Sequence, residues 1–244
     1  MSEARAVHPS PISATLDLVL FRIVLTSCLL TLSMGTSMAT AQLPECRYDD
    51  LETRFQDPSQ WRATLLDTLY RLPESYAPQD LVSVQEAGLD SAQQVRAFVI
   101  PDLRALVQAA EDAGHPLAVQ SAYRSYTYQV GTFNYWVEQR GREEALRISA
   151  RAGHSEHQLG TTLDFRSADG PPAWDLEDWA QTPAGAWLAE NAPRYGFVMI
   201  YPKGAEETVC YSYEPWHYRY VGHEAAQAVR ESGLTLREWL WRRQ

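Results

Sequence analysis

Basic charge is scarce in this chain. Against 31 Asp and Glu there are 21 Lys and Arg, a formal net charge of −10, and Lys203 is the sole lysine. A stripe of cations able to neutralise a phosphate backbone is not available from that composition, so nucleic acid is excluded as the expected partner. Apolar length is also limited: the run Ile23–Leu32 covers about ten residues, half of the roughly 20 needed to cross a bilayer. Neither a Gly-x-Ser-x-Gly elbow nor a Ser-x-x-Lys motif occurs, which leaves a serine nucleophile without its usual setting. Internal repeats, low-complexity tracts and linkers long enough to separate one domain from another are absent as well. What is there is an ordinary globular composition, 45% hydrophobic and 21% charged over 244 residues, which fits one domain or at most two.

The apolar run follows Arg22 and precedes Ala39-Thr40-Ala41, the pattern of a secretory signal cleaved before Gln42. Residues 1–41 are therefore expected to leave, with no stable membrane insertion afterwards and with the protein exported to the periplasm, the cell wall or the outside. The 203 residues from Gln42 onward are enough to bury roughly 70% of the unfolded chain's surface in a single core. Of three cysteines, Cys46 and Cys210 remain in that stretch, and an even pair in an exported chain predicts a disulfide.

Helical and extended patterns interleave along the rest. Trp61, Leu65, Leu66, Leu69 and Tyr70 have helical spacing before Pro73 and predict an amphipathic helix over Trp61–Leu72. Val99, Leu103, Leu106, Val107 and Ala110 repeat the pattern up to the stop at Gly114. Further helices are expected at Tyr126–Gln139, Pro183–Asn191, Glu224–Arg230 and Leu236–Arg242, and strands at Leu117–Ser121, Leu163–Phe165, Phe197–Tyr201 and His217–Val221. The connections suit hairpins and meanders better than a regular βαβ series, so the expected fold class is α+β.

Chemistry concentrates in three places. In Ser155-Glu156-His157-Gln158-Leu159-Gly160-Thr161-Thr162-Leu163-Asp164, imidazole and carboxylate are both good Zn²⁺ ligands. An odd step in a regular strand points two side chains apart, so convergence of His157 and Asp164 requires Gly160 to break the register. In Glu214-Pro215-Trp216-His217-Tyr218-Arg219-Tyr220-Val221-Gly222, Pro215 disfavours a helix interior, and an extended chain sets His217 and Arg219 on one face with Trp216, Tyr218 and Tyr220 on the other. A metal with three protein ligands keeps a fourth position for water, and Glu214 stands three residues before His217 as a candidate proton acceptor. The third place is Ser121-Ala122-Tyr123-Arg124-Ser125, where Arg124 offers a fixed cation. Duller roles compete: Asp164 as a turn cap, Glu214 in a simple ion pair, and His154-x-x-His157 as a rival chelate.

Together these three motifs, in this order, resemble the VanY-type D-alanyl-D-alanine carboxypeptidases, zinc peptidases of the bacterial cell wall. The resemblance runs from about Leu72 to Leu240 and implies a single α+β domain, hedgehog- and DD-peptidase-like, with a small, mainly antiparallel central sheet flanked by helices and zinc at the sheet. On that reading residues 72–244 form the carboxypeptidase domain and residues 42–71 an N-terminal extension packed on it. The resemblance implies His157, Asp164 and His217 as zinc ligands, Glu214 as general base and Arg124 on the scissile carbonyl or the substrate. It also implies Ser155 and Gln129 in the peptide-binding cleft, and peptidoglycan stem peptides as substrate. The sequence departs from the family pattern at Ile200, at Val209-Cys210 and at Ala152-Gly153-His154, none of which is a proposed ligand. An endopeptidase cutting within the stem peptide, and a catalytically silent wall-binding module, are the competing expectations.

Overall fold

Four strands carry the core of the computed structural model, which describes residues 42–244; the expected signal at 1–41 lies outside the described residues. In chain order the elements are β1 (Leu51–Glu52), β2 (Tyr70–Arg71), β3 (Leu81–Ser83), β4 (Gln94–Arg96), α1 (Ile100–Asp112), β5 (Leu117–Ser121), α2 (Tyr126–Arg140) and α3 (Arg142–Ile148). They continue as β6 (Thr162–Ser167), α4 (Pro183–Asn191), β7 (Phe197–Tyr201), α5 (Glu206–Val209), β8 (Glu214–Tyr220), α6 (His223–Ser232) and α7 (Leu236–Trp241). The main sheet runs β5-β6-β8-β7 and every neighbouring pair in it is antiparallel. Two small ribbons accompany it, β1-β2 parallel and β3-β4 antiparallel. The architecture is the expected α+β type.

Alternation along the strands divides the sheet into two faces. Leu163 and Phe165 of β6, Phe197 of β7, and Tyr218 and Tyr220 of β8 bury against Leu103 and Leu106 of α1 and Leu188 of α4. Val198 and Ile200 of β7 instead join Val229 of α6 with Leu236 and Leu240 of α7. Helix α1 buries Ile100, Leu103, Leu106 and Ala110, the spacing read from the sequence, and carries Pro101 in its first turn, where the missing N–H costs nothing. Helix α4 begins where Thr182 accepts a hydrogen bond from the Gly185 N–H and Pro183 opens the first turn.

One expected helix is absent. Residues 61–72 form a turn, an extended stretch and strand β2 rather than a helix. Their apolar side chains are buried, but in three directions: Trp61 joins the main core, Leu65 the cluster under α6 and α7, and Leu66 and Leu72 a third cluster with Leu159. Asp67 Oδ1 accepts from the N–H groups of both Leu69 and Tyr70, a local turn that competes with helical hydrogen bonding. The spacing reported burial on several sides, not one stripe of a helix.

Strand β8 starts three residues earlier than expected, and Pro215 falls inside it. The β7–β8 register shifts between Met199 and Tyr201, next to the Glu214 end of β8, so the proline sits where the ladder is already irregular. Cys46 and Cys210 are bridged. The bridge fastens the segment before β1 to the residue that ends α5, four positions before Glu214. Arg237 adds to the same junction, donating to Asp67 Oδ2 at 2.7 Å and to the carbonyls of Thr208 and Pro44 at 2.8 and 3.0 Å.

Candidate active site

Strand pairing assembles the site. In β6 and β8, Asp164 and His217 are direct cross-strand partners on the face opposite the main core, and Ser121 of β5 lies across from Asp164 on the other side. His157 arrives by another route. It sits on a short 3-10 turn, Glu156–Leu159, after which Gly160 adopts φ +73° and turns the chain into β6. A side chain at Gly160 would put a Cβ 2.9 Å from Arg96 Cγ and 3.1 Å from Leu81 Cδ2, so both conformation and space call for glycine. The register break required of Gly160 is thus present, and His157, Asp164 and His217 converge with one ligand atom each, all within 4.8 Å of one another.

The ring orientations are specific. His157 Nδ1 lies 2.6 Å from the Ala122 carbonyl, which assigns the proton to Nδ1 and turns the Nε2 lone pair toward Asp164 Oδ2 at 3.3 Å. His217 meets Asp164 through its other nitrogen, with Nδ1 3.2 Å from Oδ1. The two rings stand edge to face, 4.9 Å apart and 88° between planes. Asp164 Oδ1 is buried without a hydrogen bond, an orphaned acceptor beside two imidazoles. Two nitrogens and a carboxylate oxygen are a donor set suited to Zn²⁺, and the buried orphan gives that set an electrostatic reason to hold a cation.

Charges around the triad pull in opposite directions. Burial disfavours ionised Asp164, but His157, His217 and Arg124 outweigh it and hold the carboxyl well below the usual range. Burial, helped by the Arg124 cation, lowers His157 to about 4. His217 goes the other way, up to about 9, because the carboxylates of Asp164, Glu156 and Glu214 overcome its desolvation. Glu214, whose Oε2 lies 3.4 Å from His217 Nδ1, is raised by burial to about 7. Arg124 Nη2 donates to Asp164 Oδ2 at 2.8 Å and its Nε to Ser121 Oγ at 2.8 Å.

These residues open onto one cleft of about 330 Å³, lined also by Ser155, Gln129, Tyr211, Trp174 and Trp216. Gln129 Nε2 donates to the Ala150 carbonyl at 2.7 Å, while its buried Oε1 has no partner. Every residue singled out from the sequence for catalysis, metal or substrate therefore lines or borders the same void. His154 does not. Its Nδ1 is 2.7 Å from the Asp67 carbonyl and its Nε2 2.9 Å from Asp50 Oδ1, so it ties down the N-terminal segment. Sequence reasoning missed Glu156 and Arg219, a buried ion pair behind His217 at 2.8 Å. Their signal was charge at positions inside the motifs whose neighbours are all buried.

A family model described as VanY, D-alanyl-D-alanine carboxypeptidase, matches residues 92–223. The YodJ protein of Bacillus subtilis (strain 168) is 37% identical over 198 residues, covering 79% of this chain and 71% of that protein. A D-alanyl-D-alanine carboxypeptidase of Enterococcus faecalis (strain ATCC 700802 / V583) is 31% identical over 215 residues, covering 84% and 75%. Among solved structures, the LdcB LD-carboxypeptidase superposes with a TM-score of 0.65 at 31% identity, over 79% of this chain and 97% of that one. A mutant of the vancomycin-resistance D,D-pentapeptidase VanY in complex with Zn(II) gives 0.63 at 31% identity, over 74% and 99%. VanYB in complex with D-alanine-D-alanine gives 0.63 at 31%, over 74% and 97%. With the family model spanning more than half the chain and the candidate metal-ligating side chains converged at one place, the chain belongs to the VanY family of D-alanyl-D-alanine carboxypeptidases.

Proposed function

We propose that this protein is a zinc-dependent carboxypeptidase that removes the C-terminal D-alanine from peptidoglycan stem peptides. His157, Asp164 and His217 hold the metal, Glu214 is the general base, and Arg124 is the cation beside the scissile carbonyl. The observation that carries the reading is the convergence of two imidazoles and an orphaned carboxylate oxygen, with the half-buried Glu214 carboxylate 3.4 Å from His217 Nδ1. Kinship with enzymes whose structures hold Zn(II) and D-alanine-D-alanine supports both the metal and the substrate class.

Zn²⁺, when bound, supplies Lewis-acid activation of water and of the carbonyl near neutral pH. Glu214 takes the proton from the attacking water on its carboxylate and returns it to the leaving amine nitrogen as the peptide bond breaks. Arg124, steadied through Nε by Ser121, donates from its guanidinium to the carbonyl oxygen as that oxygen gains charge, a contribution of about 3–4 kcal/mol for a well-placed donor. Gln129 offers its unpaired Oε1 to a substrate N–H, and Ser155 lines the same cleft. We assign residues 1–41 to a cleaved export signal, 42–71 to an N-terminal extension and 72–244 to the carboxypeptidase domain, acting at the wall or outside the cell. No helix among the described residues is long and apolar enough to cross a membrane.

Incubation with defined muropeptide tetra- and pentapeptides tests the assignment. Release of free D-alanine, its loss with chelator and its return with Zn²⁺ are expected. Release of a larger fragment would instead make the protein an endopeptidase, and wall binding without any product would make it a silent module.

A further inference from the structure

The hydrolytic roles leave one buried charged pair unexplained. Glu156 and Arg219 are among the most buried charged residues, at 3% and 0% exposure. Arg219 Nη1 donates to Glu156 Oε1 at 2.8 Å, and Nη2 donates to the carbonyls of Trp61 at 2.6 Å and Thr64 at 2.9 Å. A buried ion pair is weak support for stability, because apolar side chains of similar volume often serve as well or better. Its presence here calls for another reason.

That reason lies in the free oxygen of the pair. Glu156 Oε2 has no hydrogen bond, and neither has His217 Nε2; the two buried atoms face each other at 3.6 Å. A shift of well under an ångström brings them to hydrogen-bond distance. On the opposite edge of the ring, His217 Nδ1 faces Asp164 Oδ1 at 3.2 Å. His157 is arranged in mirror fashion, with Nδ1 on the Ala122 carbonyl and Nε2 toward Asp164. Each imidazole thus presents a different nitrogen to the common void and turns the other toward its own acceptor. Metal-ligating histidines almost always fix their second nitrogen in this way, and the partner sets which tautomer is available.

We propose that Glu156 is a positioning residue for His217: it accepts the Nε2–H, presents the Nδ1 lone pair to the metal, and is itself held in place by Arg219. The inference rests on the reading that His157, Asp164 and His217 bind zinc. It extends the site in one respect: Arg219 is anchored on carbonyls of Trp61 and Thr64, residues that precede the family-matched span 92–223, so the N-terminal segment supports the metal centre from behind.

Two measurements test it. In the zinc-loaded parent protein, ¹⁵N NMR of the histidine rings should show His217 protonated at Nε2 and metal-bound at Nδ1; the reverse assignment overturns the proposal without any variant. Chelator competition on folded Glu156→Gln should show zinc binding weakened by about 10–100-fold. Because that change leaves Arg219 as an unpaired buried charge, Glu156→Leu/Arg219→Met, which offers the His217 Nε2–H no acceptor at position 156, is made alongside and should lose affinity to a similar degree. Affinity within twofold of the parent in a folded variant refutes the proposal. His157→Ala separates the two layers of argument. If it binds zinc as tightly as the parent, the metal-site reading itself fails; if it loses zinc and the Glu156 variants do not, only the positioning role fails.

Discussion

Replacing Glu214 by glutamine keeps the shape of the side chain and removes the group that takes the proton. General-base catalysis contributes typically about 10²–10⁴ in rate, which corresponds to about 3–5 kcal/mol of barrier. Zinc content should be unchanged, since Glu214 stands outside the three-residue cluster whose ligand atoms converge. Stability should move in the opposite direction from activity. Burial raises the Glu214 carboxyl from 4.5 to about 7 in the metal-free fold, a difference that corresponds to about 3 kcal/mol. The folded-state value lies above the unfolded one, so the native state binds the proton more tightly. The parent loses stability relative to the variant as pH rises from 4.5, and the loss is complete above about 7. The side chain keeps 19% exposure, so the gain should fall below that ceiling, at about 1–3 kcal/mol. Urea denaturation of chelated parent and Glu214→Gln at pH 4.5 and pH 8, with kcat/KM on a pentapeptide, measures both effects. Equal stability of the two proteins at pH 8 would remove the desolvated carboxyl from the account. A loss of kcat/KM smaller than tenfold with zinc retained would remove Glu214 from the proton transfer.

The remaining predictions concern the frame that holds the site. The Cys46–Cys210 bridge spans 164 residues, and the loop-entropy model gives it about 5 kcal/mol, an upper value because residual structure in the unfolded chain already restricts part of that freedom. Cys46→Ser/Cys210→Ser should therefore lower urea-determined stability by several kcal/mol, and an unchanged midpoint would contradict that estimate. Gly160→Ala forces a Cβ onto a residue at φ +73° and 2.9 Å from Arg96 Cγ, at a cost of about 1–2 kcal/mol from the backbone alone. We expect a lower Tm together with weaker zinc binding, because His157 lies three residues away on the turn that Gly160 ends; full zinc affinity in the destabilised protein would show that the turn does not position the ligand.

What was legible in the sequence is what depends on neighbours along the chain. Helix α1 could be read from apolar spacing and its stop at Gly114, helix α4 from Pro183, and strand β7 from a short apolar run. The residues at 157, 164, 214 and 217 could be read from their motifs as candidate metal ligands and proton acceptor, and the full set followed from the family resemblance. The even pair of cysteines after residue 41 pointed to a bridge, which is present. Segment 61–72 misled because side-chain spacing reports burial, and here the chain is buried by three separate clusters while Asp67 and Arg219 take up its backbone groups.

Only the tertiary structure decided how those chemical groups meet. Asp164 and His217 are 53 residues apart and become cross-strand partners through a register that no local pattern specifies. His154 and His157 look alike in the sequence, yet one ring is claimed by Asp50 and the Asp67 carbonyl and the other by the Ala122 carbonyl. Glu156 and Arg219 read as two isolated charges until the fold buries them against each other and against His217. Local sequence fixes torsional preference and donor chemistry; the partner of each donor is set by hydrogen bonds and burial between segments distant along the chain, and for these imidazoles that partner selects the nitrogen left to face the void.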